Sequence, residues 1–102
     1  MKKPFAQLFL AFLKRKHAVS IMYFGRTSEF LMMTSERMVI PNGIYTLEQL
    51  LDRLRIRGGR WACELDDSHV ICTVNGKAAA LSDTIEAGGE IGIFSSKSVF
   101  ER

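Results

Sequence analysis

Cysteine and histidine are scarce in this chain, and their scarcity removes several chemistries at once. The two cysteines, Cys63 and Cys72, do not form a CxxC pair, and His17 and His69 stand apart from each other. A zinc site or an iron–sulfur cluster therefore lacks a ligand set, and no cofactor or metal is expected. Two thiols without a disulfide framework read as buried free cysteines in a reducing compartment, which points to a cytoplasmic protein. Long apolar runs are missing too. The longest, Leu8 to Leu13, is far too short to span a bilayer. A secretory signal is a poor fit, because Lys14-Arg15-Lys16 stands where a small-residue cleavage site belongs. There is no phosphate-binding loop and no nucleophile paired with a base. Asp66 and Asp67 are adjacent, but neighbours in an extended loop point apart and no opposing acid is identifiable. No catalytic residue is assigned, and an enzyme in its own right is not expected.

What is present is enough for one domain: 102 residues, 47% apolar and 25% charged. The net charge of +3 conceals an asymmetry. Residues 1–17 hold Lys2, Lys3, Lys14, Arg15 and Lys16 and no acid, which leaves nine basic against eleven acidic residues in the rest. A mildly acidic domain does not suit nucleic acid, which wants clustered cations on a folded face. The segment 1–17 is a basic extension whose Phe5, Leu8, Phe9, Phe12 and Leu13 fall at helical spacing. Three readings stay open for it. It is an extension at the gene start that packs on a neighbouring chain or on nothing, an extra helix over its own domain, or a basic partner- or membrane-binding helix. Membrane contact is the least expected of these.

From residue 18 onward the pattern is that of a small sheet with one good helix. Val19 to Phe24 and Glu36 to Ile40 read as strands, the second stopped by Pro41-Asn42-Gly43. Gly25 to Ser28 reads as a break, with a short helical turn in Glu29 to Thr34 before the second strand. The helix opens with Thr46 and Gln49 at capping-box spacing and with Tyr45 and Leu50 as a hydrophobic staple. Leu47, Leu50, Leu51 and Leu54 line one face, and Gly58-Gly59 ends it. Arg53, Arg55 and Arg57 do not share a face, so they read as a solvated helix end and not as a phosphate site. Trp61 and Leu65 anchor a further turn onto the core. Val70 to Val74 is a strand running into the tight turn Asn75-Gly76. A short apolar stretch follows from Ala78 to Leu81, then a turn at Ala87-Gly88-Gly89 and a last strand, Glu90 to Phe94. The expected fold is α+β with β-grasp (ubiquitin-like) topology. One main helix lies across a mixed sheet whose first and last strands are adjacent.

The stretches SIMYFGRTSE, TLEQLLDRL, RWACELDDSHVICTVNGK and LSDTIEAGGEIGIF resemble the small subunit of molybdopterin synthase, and the likeness covers about 80 residues, everything except the N-terminal arm. That family comprises ubiquitin-like sulfur carriers related to the thiamine-biosynthesis carrier. The resemblance implies a protein that acts in molybdenum cofactor biosynthesis as a subunit and substrate. Its partners would be a large-subunit-like protein and an activating enzyme, and its docking patch would match Phe24, Phe94 and, near the Val74-Asn75 pair, Ala78. It also implies a flexible C-terminus ending in Gly-Gly, whose acyl carbon becomes a thiocarboxylate. Glycines suit that task because nothing larger passes a narrow channel beside the nucleotide. Here Ser95, Ser96, Lys97, Ser98, Val99 and Phe100 follow the last strand instead, with Val99 and Phe100 near the positions of the family's glycines. Ser28 stands where the family has an arginine before Glu29. The expectation is a relative that does not carry sulfur in the usual way. The alternative is a non-transferring binding module that docks on or regulates a partner through the sheet, or that holds together a homo-oligomer.

Overall fold

The structure is a computed structural model and describes residues 17–98 and 100. The extension expected in residues 1–17 thus lies outside the described residues except for His17, whose carbonyl accepts from the Ile40 amide at 2.7 Å. Eight elements follow: β1 (Ala18–Tyr23), α1 (Gly25–Leu31), β2 (Ser35–Val39), α2 (Leu47–Arg55), α3 (Gly59–Glu64), β3 (Val70–Val74), β4 (Lys77–Ala79) and β5 (Glu90–Ser95). The strands form one mixed sheet in the order β2-β1-β5-β3-β4. β1 and β5 run parallel in the middle, and the remaining neighbours are antiparallel. This is the β-grasp arrangement that the sequence implies.

Strand alternation decides which side chains are covered. Val19, Ile21, Tyr23, Cys72, Ile91 and Ile93 face α2 and are buried. From α2 they meet Leu47, Leu50, Leu51 and Leu54, all four without solvent exposure. Burying each leucine contributes about 1.5–3 kcal/mol, so this one face supplies much of the core's stabilisation. The start of α2 is fixed locally. The Gln49 amide donates to Thr46 Oγ1 at 3.2 Å, and the Thr46 amide donates to Gln49 Oε1 at 2.9 Å. The β3–β4 hairpin is equally local, since Asn75 (φ 51) and Gly76 (φ 84) supply the two positive φ angles of its turn.

Two sequence expectations need correction, and one needs refining. Gly25 to Ser28 is the start of α1, not a break before it. Phe24 is extended, Gly25 turns the chain at φ +56, and Thr27 and Leu31, four apart, are buried against the core. Tertiary burial here overrides the weak helix propensity of Gly, Thr and Ser. The three arginines do end the helix in solvent, with Arg53 and Arg57 exposed and Arg55 half-buried, but each also reaches a different neighbour. Arg53 donates to the Val39 carbonyl at 2.8 Å, and Arg55 donates to the Leu65 carbonyl at 2.9 Å and pairs with Glu48, Asp52 and Asp67. Arg57 makes two bonds to Glu36, at 2.7 and 2.9 Å, and its guanidinium lies 4.6 Å from the Trp61 ring centre. Finally, Cys72 is buried as expected, but Cys63 on α3 is exposed.

Candidate functional site

The face of the sheet away from α2 carries no other element among the described residues, and its side chains are dictated by the same alternation. β1 presents Met22, with Phe24 just beyond its end. β5 presents Glu90, Gly92 and Phe94, and β3 presents Ile71 and Thr73. Phe24 and Phe94 stack with ring centres 4.6 Å apart and planes at 15°. Phe24 is held at this place because its amide donates to the Ile93 carbonyl at 3.0 Å. Phe24 is 40% exposed, Met22 37% and Ile71 44%, so the rings form the centre of an apolar patch open to solvent. Beside them is a shallow depression of about 220 Å³ lined by Met22, Thr73, Gly92 and both phenylalanines.

Gly92 is the floor of this patch. A Cβ there would overlap Thr73 Oγ1 and come within 3.3 Å of both rings. Glycine inside a strand marks such a close approach. The register aligns Met22, Gly92, Thr73 and Ala78 in one row across four strands. Ala78 therefore shares the open face, but it lies two strands from Gly92 and outside the depression, on the short edge strand. Phe24 and Phe94 are thus brought together, and Ala78 flanks them at a distance.

The segment after the last strand is tied to the body one residue at a time. Ser95 is the end of β5 and pairs with Val70. The Ser96 amide donates to the His69 carbonyl at 2.8 Å, and the Lys97 amide to Ser95 Oγ at 3.1 Å. The Ser98 carbonyl accepts from Arg26 Nη1 at 2.9 Å. Phe100 is 90% exposed, and its amide donates to Ser98 Oγ at 3.2 Å. Val99 lies outside the described residues.

Arg26 belongs to a buried polar cluster that the sequence did not announce. It is 7% exposed, and its Nε donates to Glu64 Oε1 at 3.1 Å. Thr27 Oγ1 donates to the other oxygen of Glu64 at 3.0 Å. The ring of Phe30 lies 4.1 Å below the guanidinium. Breaking such a pair from one side leaves a buried charge uncompensated, at a cost of about 3–5 kcal/mol. No local pattern links residues 26 and 64, so only the packing of α1 on α3 reveals the pair.

A second cluster joins β1, β2, α3 and the turn that follows α2. Tyr23 Oη donates to Glu36 Oε2 at 2.6 Å, and Trp61 meets the Tyr23 ring edge-on at 5.7 Å. Burial opposes ionisation of Glu36, but the hydrogen bonds from Arg57 and Tyr23 outweigh it and hold the carboxyl below its ordinary range. Burial, reinforced by the Glu36 carboxylate, pushes the Tyr23 hydroxyl upward. This cluster is structural, since its groups are satisfied by one another across the elements they join. Among the described residues, no group of three His, Cys, Asp or Glu side chains is placed to hold a metal ion. Likewise, no helix among them is long and apolar enough to cross a membrane.

A mixed five-stranded sheet wrapped around one main helix is the ubiquitin-like β-grasp architecture. Residues 21–96 match the ThiS family, and the chain belongs to it. Members of this family are in general carriers and modifiers without catalysis of their own. Among solved structures, the chain is similar to SAMP1 from Haloferax volcanii, with 24% identity and a TM-score of 0.66 over 79% of this chain and 97% of that one. A second crystal structure, of H. volcanii small archaeal modifier protein 1, gives 27% identity and a TM-score of 0.56 over 76% and 94%. A Pyrococcus furiosus protein named for subunit 1 of molybdopterin converting factor gives 20% identity and a TM-score of 0.64 over 76% and 95%. A comparison with curated proteins finds no match.

Proposed function

We propose that the protein is a carrier-derived docking subunit of the molybdopterin-synthase type. It seats on a large-subunit-like partner through Phe24 and Phe94, with Ala78 at the margin of the contact. It does not form the usual C-terminal thiocarboxylate. The observation that carries the docking is the stacked phenylalanine pair, left half-exposed on a sheet face that no other element among the described residues covers. Such a patch is the kind of surface that a partner covers. Support for the lost chemistry is positional: Val99 and Phe100 stand near the family's glycine positions relative to the last strand. Side chains there would obstruct the channel that a diglycine passes. Free Cys63 and Cys72 agree with a cytoplasmic location.

Titration with a molybdopterin synthase large subunit tests the docking. Phe24→Ala and Phe94→Ala are each expected to weaken binding about tenfold or more, as truncation of a central aromatic anchor does. Binding indifferent to both would reject the patch. Intact-mass analysis of protein from its native host, with fragmentation of the C-terminus, tests the chemistry and the involvement of an activating enzyme. A sulfur in place of a carboxylate oxygen would overturn the reading of the tail. A second reading is a non-transferring module that occupies or regulates its partner. It is favoured by the anchoring of Ser98 to Arg26, since a segment tied back to the domain is not free to thread into a channel.

A further inference from the structure

We infer that Arg26 is a latch that sets where the C-terminal segment leaves the domain. This deepens the docking reading, on which its functional meaning rests, because it fixes the segment's position relative to the aromatic patch. The geometry has three parts. First, the guanidinium is immobilised before it meets the segment. It is buried, bonded through Nε to Glu64 at 3.1 Å, and stacked on Phe30 at 4.1 Å. Thr27 Oγ1 holds the same carboxylate, so the anion cannot rotate away without losing a second bond.

Second, the fork of arginine lets one group face two partners. Nε is committed to Glu64, while Nη1 points on to the Ser98 carbonyl at 2.9 Å. A lysine ammonium is a point donor on a flexible stem and lacks this fixed double geometry. Third, the latch lies two residues beyond Phe24. A segment pinned at Ser98 is therefore tied to α1, the helix that begins directly after Phe24. Ser96, whose amide is bonded to the His69 carbonyl, is the preceding hold, and the Ser98 carbonyl is the next. A partner seated on the rings would meet the segment at a set place and in a set direction. Arg26 is thus a positioning residue and touches no reacting group.

The test reads backbone order in the isolated protein by nuclear relaxation, so that it fails or succeeds apart from any partner. In the unmodified chain the Ser98 amide is expected near the rigid value, an order parameter of about 0.85. Two variants release it: Arg26→Lys, and Arg26→Met combined with Glu64→Gln, which removes both charges together. In each, Ser98 should fall below about 0.6 while Ile91 and Ile93 in β5 stay rigid. Ser98→Ala should leave the hold from Arg26 in place, because the Ser98 carbonyl is its acceptor there, although the substitution also removes the hydroxyl that accepts from the Phe100 amide. If the core variants fail to fold, an ester in place of the Ser98–Val99 amide weakens the same carbonyl without touching the cluster. It should loosen Ser98 likewise. A mobile Ser98 in the unmodified protein would overturn the latch. So would a Ser98 that stays rigid in the folded variants or in the ester.

Discussion

Substituting Gly92 by alanine probes the floor of the aromatic patch, and its cost follows from the distances there. The added methyl would overlap Thr73 Oγ1 and reach within 3.3 Å of the Phe24 and Phe94 rings. Gly92 does not have positive φ, so the backbone accepts alanine without strain. Reduced freedom of the unfolded chain would even favour alanine by about 0.4–1 kcal/mol. Overpacking acts against this at about 1–3 kcal/mol, so a net loss of about 1–2 kcal/mol is expected. In a domain of this size that lowers the melting temperature by very roughly 4–16 °C. The hydroxyl oxygen of Thr73 is the principal obstacle, and Thr73→Ala removes it. In the Thr73→Ala background, Gly92→Ala should therefore cost less, with a coupling of about 0.5–3 kcal/mol. Urea unfolding of the four proteins gives the cycle directly. An equal cost of Gly92→Ala in both backgrounds would refute the claim that Thr73 sets the clearance. A stabilised single variant would refute the close approach altogether.

The other predictions are simpler. Thr46→Ala, which removes one half of the capping box, should cost about 0.5–2 kcal/mol of stability in urea unfolding. Of the two thiols, Cys63 should react with a maleimide in the native protein. Cys72 should react only on unfolding, since it is buried and its pKa is pushed up to about 11. Glu36 has a lowered pKa when folded, so its stabilisation is present above the unfolded value of about 4.3 and is lost as pH falls through the folded one. The stability gap between the native protein and Glu36→Gln should therefore be full at neutral pH and shrink below about pH 4 in urea titrations at several pH values. A gap that grows in acid would contradict the sign.

Each feature that was legible in the sequence depends on neighbours along the chain. The capping box of Thr46 and Gln49, the leucine face of α2 and the Asn75-Gly76 turn are decided within a few residues, and the structure shows them where expected. Apolar alternation also fixed the strands to within a residue or so. The resemblance placed Phe24 and Phe94 on one surface, but nothing local says that their rings stack over Gly92. That depends on the parallel pairing of β1 with β5, whose residues stand some seventy positions apart. α1 was misread for the same reason: glycine, threonine and serine are poor helix formers, and only the burial of Thr27 and Leu31 makes a helix of them. The arginines show the limit most plainly. A guanidinium is long, charged and indifferent to local pattern, so its partner is whichever acceptor the folded chain brings within reach. Tertiary packing gave Arg57 to Glu36, and Arg26 to Glu64 and Ser98. Local propensity determined the elements. Contacts between distant residues decided the site, because charge and close approach act through space and not along the chain.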